Sequence, residues 1–326
     1  PIDRADSRSG EQMTEETQLQ DITYALATSP TFAQDGICFA ARGSGLYRSD
    51  DGGVTWQSVY GTLELRAPLP TMAVAISPDF ASDRTVFAGV PGGILRSFDG
   101  GERWDVVQLP SPPPVVSALV VSPDYARDGI VLAGTVEDGV LSTSNRGGHW
   151  VAWNFGLLDL NTICLTISPD FAQDETLYVG TDSGIFRSTN GGRAWRDVDF
   201  PLELAPVLSL ALSPAYSEDG ILLAGTESHG LHRSEDKGRT WTRLGEDAVR
   251  NAVNAILLSP EYPEKADCLA MLSDRLLLSR DGGRSWSGWE TGVEFDEGLA
   301  CVAAPQGLGP DAPLLIGFTD GGAQRI

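Results

Sequence analysis

Two independent sets of markers recur along this chain with one period. A Ser-Pro pair ends six apolar runs at steps of 48, 45, 46, 45 and 46 residues, with its serine at Ser29, Ser77, Ser122, Ser168, Ser213 and Ser259. A tryptophan closes each unit at steps of 48, 46, 45, 46 and 45 residues: Trp56, Trp104, Trp150, Trp195, Trp241 and Trp286. A unit of this length that is repeated in tandem must bury its apolar face against its neighbours.

Each unit has the pattern of four short strands. In the fourth unit these are Thr162–Ile167, 176–180, 184–188 and 195–198, which we name strands A, B, C and D. They are rich in β-branched and aromatic residues and are separated by Gly, Pro, Asp and Asn. We find no helical period in the repeats. Four antiparallel strands in each repeat predict an all-β fold, a β-propeller with one unit in each blade.

The turn between strands C and D carries the most specific motif, Ser-x-Asp-x-Gly-x-Thr-Trp. An Asp or Asn side chain can accept hydrogen bonds from the turn amides, and Gly allows a positive φ. Trp can cover the hairpin. We therefore interpret the motif as structural in all six copies, of which the third begins with Thr143: Ser49, Asp51, Gly53, Trp56; Ser97, Asp99, Gly101, Trp104; Asn145, Gly147, Trp150; Ser188, Asn190, Gly192, Trp195; Ser234, Asp236, Gly238, Trp241; Ser279, Asp281, Gly283, Trp286. The arginines near these turns also repeat and are interpreted as structural: Arg48, Arg96, Arg187, Arg233 and Arg280.

The motif resembles the Asp-box, or BNR repeat, of the sialidase-like, Ycf48-like and sortilin-like superfamily, which also includes xyloglucan-active glycosidases. The resemblance extends over nearly the whole chain. It implies a propeller of the WD40/YVTN/BNR-like type. It implies no single activity, because these families share the repeat and differ in function.

The ends of the chain predict how the ring closes. Residues 21–298 contain six complete units, and residues 299–326 continue the pattern with three strands but no fourth. Residues 1–20 have no unit of their own, and 15–19 could supply the missing strand. We predict one domain over 1–326 with seven four-stranded blades, the seventh closed by the N-terminal strand. The alternative is six blades with an open partial seventh.

A functional site is expected where the repeats differ. In a meandering blade the A–B and C–D turns lie on one face, and the B–C turns and D-to-A links lie on the other. The second face is variable and acidic. Its candidate binding residues are Arg42, Arg66, Glu137, Asp138, Trp153, Asp182, Glu227, His229, Arg250, Asp274 and Arg275. Trp153, Phe155, Phe200 and Phe295 are its candidate stacking aromatics, with Trp153 ranked first. The alternative for Trp153 is packing between blades.

The amino-acid composition of the chain argues against some classes of partner. A net charge of −22 repels phosphate backbones and argues against nucleic acid. No apolar run is long enough to span a membrane. The four cysteines have no metal or redox spacing and are expected to be buried free thiols: Cys38, Cys164, Cys268 and Cys301. The three histidines are dispersed, so we expect no metal and no cofactor. Free thiols, and a first segment without a signal-peptide core, slightly favour a cytoplasmic location.

Three functions are compared. The first is a non-catalytic scaffold that binds another protein through the acidic face, with the propeller itself monomeric. The second is a glycosidase. A sialidase needs an arginine triad and a Tyr–Glu pair, for which the variable face offers four scattered arginines and Tyr24. A xyloglucan-type enzyme needs two opposed carboxylates, but that family usually pairs two propellers. The third is a carbohydrate-binding or receptor module. The sequence favours the scaffold and leaves enzyme activity open.

Overall fold

The chain folds into a seven-bladed β-propeller. The computed structural model describes residues 21–109, 112–202, 204–289, 295 and 298–326. Within these ranges, six blades are antiparallel sheets of four strands in the order A, B, C, D, and the seventh shows three strands. The predicted fold class is therefore confirmed. The predicted N-terminal strand at 15–19 lies outside the described residues.

The strands follow the repeats in chain order. Blade 1 contains β1 (Thr23–Thr28), β2 (Cys38–Arg42), β3 (Gly45–Ser49) and β4 (Gln57–Ser58), and blade 2 contains β5 (Ala73–Ile76), β6 (Val86–Val90), β7 (Gly93–Ser97) and β8 (Asp105–Gln108). Blade 3 contains β9 (Val115–Val121), β10 (Val131–Val136), β11 (Gly139–Thr143) and β12 (Val151–Ala152). Blade 4 contains β13 (Thr162–Ile167), β14 (Leu177–Thr181), β15 (Ile185–Ser188) and β16 (Arg196–Asp197). Blade 5 contains β17 (Val207–Leu212), β18 (Leu222–Thr226), β19 (Leu231–Ser234) and β20 (Thr242–Leu244). Blade 6 contains β21 (Ala255–Leu258), β22 (Cys268–Met271), β23 (Leu276–Ser279) and β24 (Ser287–Gly288), and blade 7 contains β25 (Leu299–Ala303), β26 (Leu315–Phe318) and β27 (Ala323–Arg325).

The A strands converge on the central axis, because each packs against the A strand of the next blade and β25 returns to β1. The B strand is the most buried strand of every blade except the third, where β11 is buried throughout and β10 ends at the exposed Val136. Every residue of β14 and β18 is buried. Neighbouring blades cover both faces of these strands, which explains their nearly continuous apolar sequence.

A short helix after each of the first five Ser-Pro pairs corrects the expectation of no helix in the repeats. These helices are α1 (Phe32–Asp35), α2 (Phe80–Asp83), α3 (Tyr125–Asp128), α4 (Phe171–Asp174) and α5 (Tyr216–Asp219). Each is a single turn that buries its aromatic residue. The serine Oγ donates to an aspartate six residues later, at 2.6 Å from Ser77 to Asp83. A four-residue helix is too short to show a 3.6-residue period.

The C–D turns are held by their own side chains. In blade 1, Ser49 Oγ donates to Asp51 Oδ1 at 2.7 Å and accepts from Gly53 N at 2.9 Å. Asp51 also accepts from Thr55 N and Thr55 Oγ1, at 2.9 and 2.6 Å. In blade 4, Asn190 Oδ1 accepts from Ala194 N at 2.9 Å, so an amide keeps the acceptor position. The hydrogen bonds are local, and the turn needs no ligand to form.

Arginines before the C–D turns connect neighbouring blades. Four of them donate Nη1 to a carbonyl in the next turn, at 2.7, 3.1, 3.5 and 3.0 Å for the pairs Arg48–Gly100, Arg96–Arg146, Arg187–Lys237 and Arg233–Gly282. Arg280 does not belong to this set, because it follows Ser279 instead of preceding it. Its guanidinium contacts Asp267 and the carbonyl of Leu308.

Blade 1 packs directly on blade 7. Thr23 Oγ1 donates to Gly322 O at 3.0 Å, and the Trp56 indole donates to Ala323 O at 3.2 Å. Cys301 Sγ donates to Thr23 O at 3.3 Å. These contacts close the ring within the described residues. No helix in that part of the chain is long and apolar enough to cross a membrane.

Candidate functional site

The two faces of the ring are defined by contacts between turns. On one face, the C–D turn contacts the A–B turn of the same blade, as where Gly52 N donates to Gly36 O at 2.9 Å. On the other, links contact B–C turns, as where Gly139 N donates to Leu160 O at 2.8 Å. We call these the turn face and the link face.

Arg42 is less accessible to a binding partner than the sequence suggests. It is half-buried in blade 1, with its guanidinium carbon 4.5 Å from the ring centroid of Tyr47. Burial lowers its pKa. We therefore assign Arg42 to packing in blade 1. Arg66 is exposed on the link between blades 1 and 2.

Two other predicted bases are paired locally on the link face. Arg250 Nη2 lies 3.1 Å from Asp247, and Arg275 Nη2 lies 2.6 Å from Asp274. Both pairs are exposed, so they contribute little stability but leave less free positive charge. The structure brings these bases to separate blades and not to one cluster.

His229 and Glu227 are exposed on the B–C turn of blade 5. His229 Nδ1 lies 3.0 Å from Ser228 Oγ. His232 is buried, and burial lowers its pKa to about 4. Among the described residues, no group of three or more His, Cys, Asp or Glu side chains could hold a metal ion.

The link between blades 3 and 4 exposes four large apolar side chains. We define the apolar link patch as Trp153, Phe155, Leu158 and Leu160, which are 42%, 81%, 85% and 37% exposed. Phe155 is therefore more exposed than Trp153, the aromatic that the sequence ranked first. The carbonyl of Trp153 accepts from the Trp195 indole at 3.0 Å. Trp153 thus combines packing between blades with partial exposure.

The other two candidate aromatics are internal. Phe200 packs edge-on against Trp241 and His232, with centroid distances of 5.0 and 5.3 Å. Phe295 packs on Phe318 at 6.1 Å and is partly buried. Neither is a free stacking platform. Leu158 and Leu160 were not among the sequence candidates, although their apolar spacing in a link was a usable signal.

The link is fixed in position despite its exposure. Asn154 Oδ1 accepts from Val140 N at 2.9 Å, and Trp195 N donates to Phe155 O at 2.8 Å. Gly156 has a φ of 80°, and a Cβ there would lie 2.2 Å from the carbonyl oxygen of Trp195. A glycine is required at this close approach. The apolar link patch is therefore carried on an ordered segment.

The patch extends beyond the link face. Phe155 pairs with Ala194, two residues before strand D of blade 4, so it lies at the outer rim. Leu160 reaches the B–C turn of blade 3. The link thus runs from the outer rim to the link face, whereas the sequence argument placed it on the link face alone.

Carboxylates surround the link-face end of the patch. Asp159 accepts from Asn161 N at 3.0 Å and from Ser183 N at 2.8 Å, and Asp182 contacts the Asn161 amide. Glu137 is exposed, and Asp138 is half-buried on the adjacent B–C turn. The segments 136–139, 153–161 and 181–184 contain no Lys or Arg. This end of the link is therefore acidic.

The state of Asp159 weighs against acid catalysis. Burial alone would raise its pKa, but hydrogen bonds from Ser183 and Asn161 outweigh burial and lower the pKa. A general acid needs a raised pKa to hold its proton near neutral pH. The Asp159 carboxylate instead orders the link and the B–C turn of blade 4.

Comparisons with known proteins establish the fold and leave the function open. No protein-family model and no curated protein sequence matches the chain. Among solved structures, the GH74 xyloglucanase from Xanthomonas campestris superposes with a TM-score of 0.68 at 16% identity, covering 94% of this chain and 52% of the xyloglucanase. This chain thus spans about half of that enzyme.

Two further neighbours match over nearly their full length. YCF48 bound to D1 peptide has a TM-score of 0.69 at 18% identity, covering 94% of this chain and 92% of its own. YCF48 from Cyanidioschyzon merolae has a TM-score of 0.67 at 13% identity, covering 94% and 95%. At these identities the chain is similar to xyloglucanase and YCF48 structures in fold alone, and the fold is a seven-bladed β-propeller.

Proposed function

We propose that this protein is a non-catalytic scaffold that binds another protein through the apolar link patch and the carboxylates beside it. The observation that carries the proposal is the exposure of Phe155 and Leu158, at 81% and 85%, on a segment fixed by hydrogen bonds. Exposed apolar groups on an ordered surface favour a partner. The patch is thereby preorganised, which lowers the entropy cost of association.

The acidic end of the link defines the partner's chemistry. A segment that offers aromatic or aliphatic side chains to Phe155 and Leu158, and Lys or Arg to Asp182 and Glu137, would complement this surface. The YCF48 structure with a bound D1 peptide supports the capacity of such a ring to hold a polypeptide. We further infer that the six C–D turns are Asp-boxes with a structural role.

The test is a peptide-display selection against the full chain, followed by calorimetry on the selected peptides. We expect enriched sequences to combine apolar residues with Lys or Arg. The double variant F155A/L158A should bind them at least tenfold more weakly, because each buried apolar side chain contributes about 1.5–3 kcal/mol. The matched control is F98A, an aromatic residue 44% exposed on the turn face. Equal binding by F155A/L158A and the unmodified chain would contradict the proposal.

A glycoside hydrolase is the second candidate, favoured by the fold likeness to the xyloglucanase. Asp159 and Asp182 are the first carboxylates to test, since both contact Asn161 and so lie near each other. The assay uses xyloglucan and aryl glycosides with the unmodified chain and with D159N/D182N. Under the scaffold proposal neither protein shows turnover. Turnover that the double substitution abolishes would favour the enzyme.

A further inference from the structure

Grooves of similar design lie between neighbouring blades beside the C–D turns. Three of them are lined by residues at equivalent positions of the repeat, and their volumes are about 410 Å³ between blades 1 and 2, 570 Å³ between blades 4 and 5, and 300 Å³ between blades 5 and 6. Because the three grooves share one backbone framework, the residues that line one groove can be compared position by position with those that line the other two. The 4–5 groove is the largest of the three and differs from the other two in charge.

The arginine at the inner end of the groove has a different environment in the 4–5 groove. Arg48 and Arg233 are each paired with a carboxylate two residues later, Asp50 at 2.6 Å and Glu235 at 2.9 Å. Thr189 occupies that position after Arg187. Among the described residues, Arg187 therefore has no carboxylate partner within ion-pair distance, and its charge remains available to a ligand.

Two more positions in the 4–5 groove have gained positive charge. Gln57 of the 1–2 groove is replaced by Arg196, and Glu102 is replaced by Arg239. The 5–6 groove has Thr242 and Arg284 at these two positions, so Arg196 is the charge that neither reference groove has. Both arginines are exposed, and neither is in an ion pair within the described part of the chain. The replacements at positions 189, 196 and 239 make the groove more positive, whereas Asp197 in place of Ser58 shifts the charge the other way.

The net charge of the 4–5 groove follows from its lining. It has four cations, Arg187, Arg196, Lys237 and Arg239, and two carboxylates, Asp197 and Asp199, which leaves a net +2. The 1–2 groove has one cation and two carboxylates, Asp50 and Glu102, which leaves −1. The 5–6 groove has Arg233, Arg284 and Glu235, which leaves +1, so the 4–5 groove is the most positive of the three. A positive groove on a chain of net charge −22 is a local reversal of the field.

Arg187 is held in position before any ligand arrives. Its Nη1 donates to Lys237 O at 3.5 Å, and its guanidinium carbon is 5.6 Å from the Tyr178 ring centroid. Its Nε is buried without a hydrogen-bond partner among the described residues, as are those of Arg96 and Arg233, so this feature is common to the repeat. The Nζ of Lys237 is occupied by Ser217 O at 3.0 Å, so Lys237 adds charge but its ammonium group is directed away. Arg187, Arg196 and Arg239 are the available donors.

We propose that the 4–5 groove binds a phosphate group, as inorganic phosphate or as a phosphomonoester. Arginine presents a planar pair of donors that matches two phosphate oxygens, and bonds between charged partners are the strongest hydrogen bonds in proteins. The net positive charge of the groove also favours an anion. The site is independent of the apolar link patch, although Ala194, the neighbour of Phe155, lines the groove.

The repeats supply the test. The triple variant T189D/R196Q/R239E gives the 4–5 groove the residues of the 1–2 groove at these three positions, and D50T/Q57R/E102R makes the reverse exchange. Calorimetry with inorganic phosphate, at ionic strength held constant with sodium chloride, measures each dissociation constant. We expect the first variant to lose at least about tenfold in affinity, since several charge-assisted bonds are removed. The second variant should gain a phosphate site.

The outcomes separate clearly. Equal phosphate affinity in the triple variant and the unmodified chain would overturn the proposal, as would phosphate binding no stronger than chloride. The single variant R239E, at an exposed position, keeps the test valid if the triple variant unfolds. Inorganic phosphate and a phosphoserine peptide then distinguish the source: tighter peptide binding assigns the groove to a modified protein, and equal binding assigns it to free phosphate. F155A/L158A should leave phosphate affinity unchanged.

Discussion

The side-chain amide of Asn154 accepts a hydrogen bond from Val140 N at 2.9 Å, and so ties the link after blade 3 to the hairpin that precedes it. The same side chain donates to Asp138 O at 2.8 Å. One residue thus connects the apolar link patch to a B–C turn. This relationship leads to the first prediction.

Replacing Asn154 by Ala should lower the free energy of unfolding by about 1–3 kcal/mol, because two partly buried backbone groups lose their partner. Urea denaturation measures the change. Asn251→Ala, at an exposed position, is the matched control and should stay within about 0.5 kcal/mol of the unmodified chain. A loss at Asn154 no larger than at Asn251 would mean that the link is held by other contacts.

Replacing Arg48 by Met removes the hydrogen bond between blades and keeps an unbranched side chain of similar packing. The variant therefore measures the contribution of the hydrogen bond to stability. The variant loses the 2.7 Å hydrogen bond to Gly100 O, and we expect unfolding to become easier by about 1.5–3 kcal/mol. Arg250→Met is the control, since Arg250 is exposed and paired only locally. Equal thermal midpoints for the two variants would contradict an important stabilising role for the contact.

Stability should fall in acid through the aspartates of the C–D turns. Hydrogen bonds from Thr240 and Ser285 lower the pKa values of Asp236 and Asp281 from 3.8 to about 2. A pKa that is lower in the folded state adds stability above the unfolded pKa, and this stability is lost as the pH falls. The window is therefore about pH 4 to pH 2.

The variant D236N/D281N tests this acid dependence, because an amide accepts from the turn without titrating, as Asn190 does. We expect the thermal midpoint of the variant to decline less steeply across the window than that of the unmodified chain. D311N is the control at an aspartate outside the turns. Parallel midpoint curves for D236N/D281N and the unmodified chain would show that other carboxyl groups dominate acid unfolding.

The four cysteines should be almost unreactive in the folded chain. Burial raises the pKa of each thiol to about 12: Cys38, Cys164, Cys268 and Cys301. At pH 8 only on the order of 1 in 10,000 would be thiolate, the reactive form. A thiol-disulfide reagent should therefore modify the native protein over hours and the unfolded protein within minutes. Rapid modification of one native equivalent would identify an accessible thiol.

The fold was predictable because the Ser-Pro and tryptophan spacings encode one blade, and β13 begins and ends at the predicted residues Thr162 and Ile167. The one-turn helices could not be predicted, because the sequence marks each of them only by a serine and an aspartate six residues apart, such as Ser77 and Asp83. Closure by residues 15–19 stays a prediction. Deleting residues 1–20 tests it, and an unchanged thermal midpoint would contradict it.

The candidate site was only partly predictable. Position in a link singled out Trp153 and Phe155, but the exposure of each side chain depends on how the link folds back. Phe200 occupies a comparable link and turns inward onto Trp241. Arg42 has the same long side chain as Arg66 and is half-buried against Tyr47. Which of two similar side chains faces solvent is decided by neighbouring blades that are distant in sequence.

The arginines that join the blades recognise a carbonyl oxygen, which every residue type carries. The receiving positions are accordingly diverse: Gly100, Arg146, Lys237 and Gly282. All four have left-handed φ values, 78°, 59°, 63° and 74°. The backbone conformation at these positions is therefore more constrained than the residue type. During the duplication history of such a chain, side chains at the outer end of each blade could therefore diverge without loosening the ring.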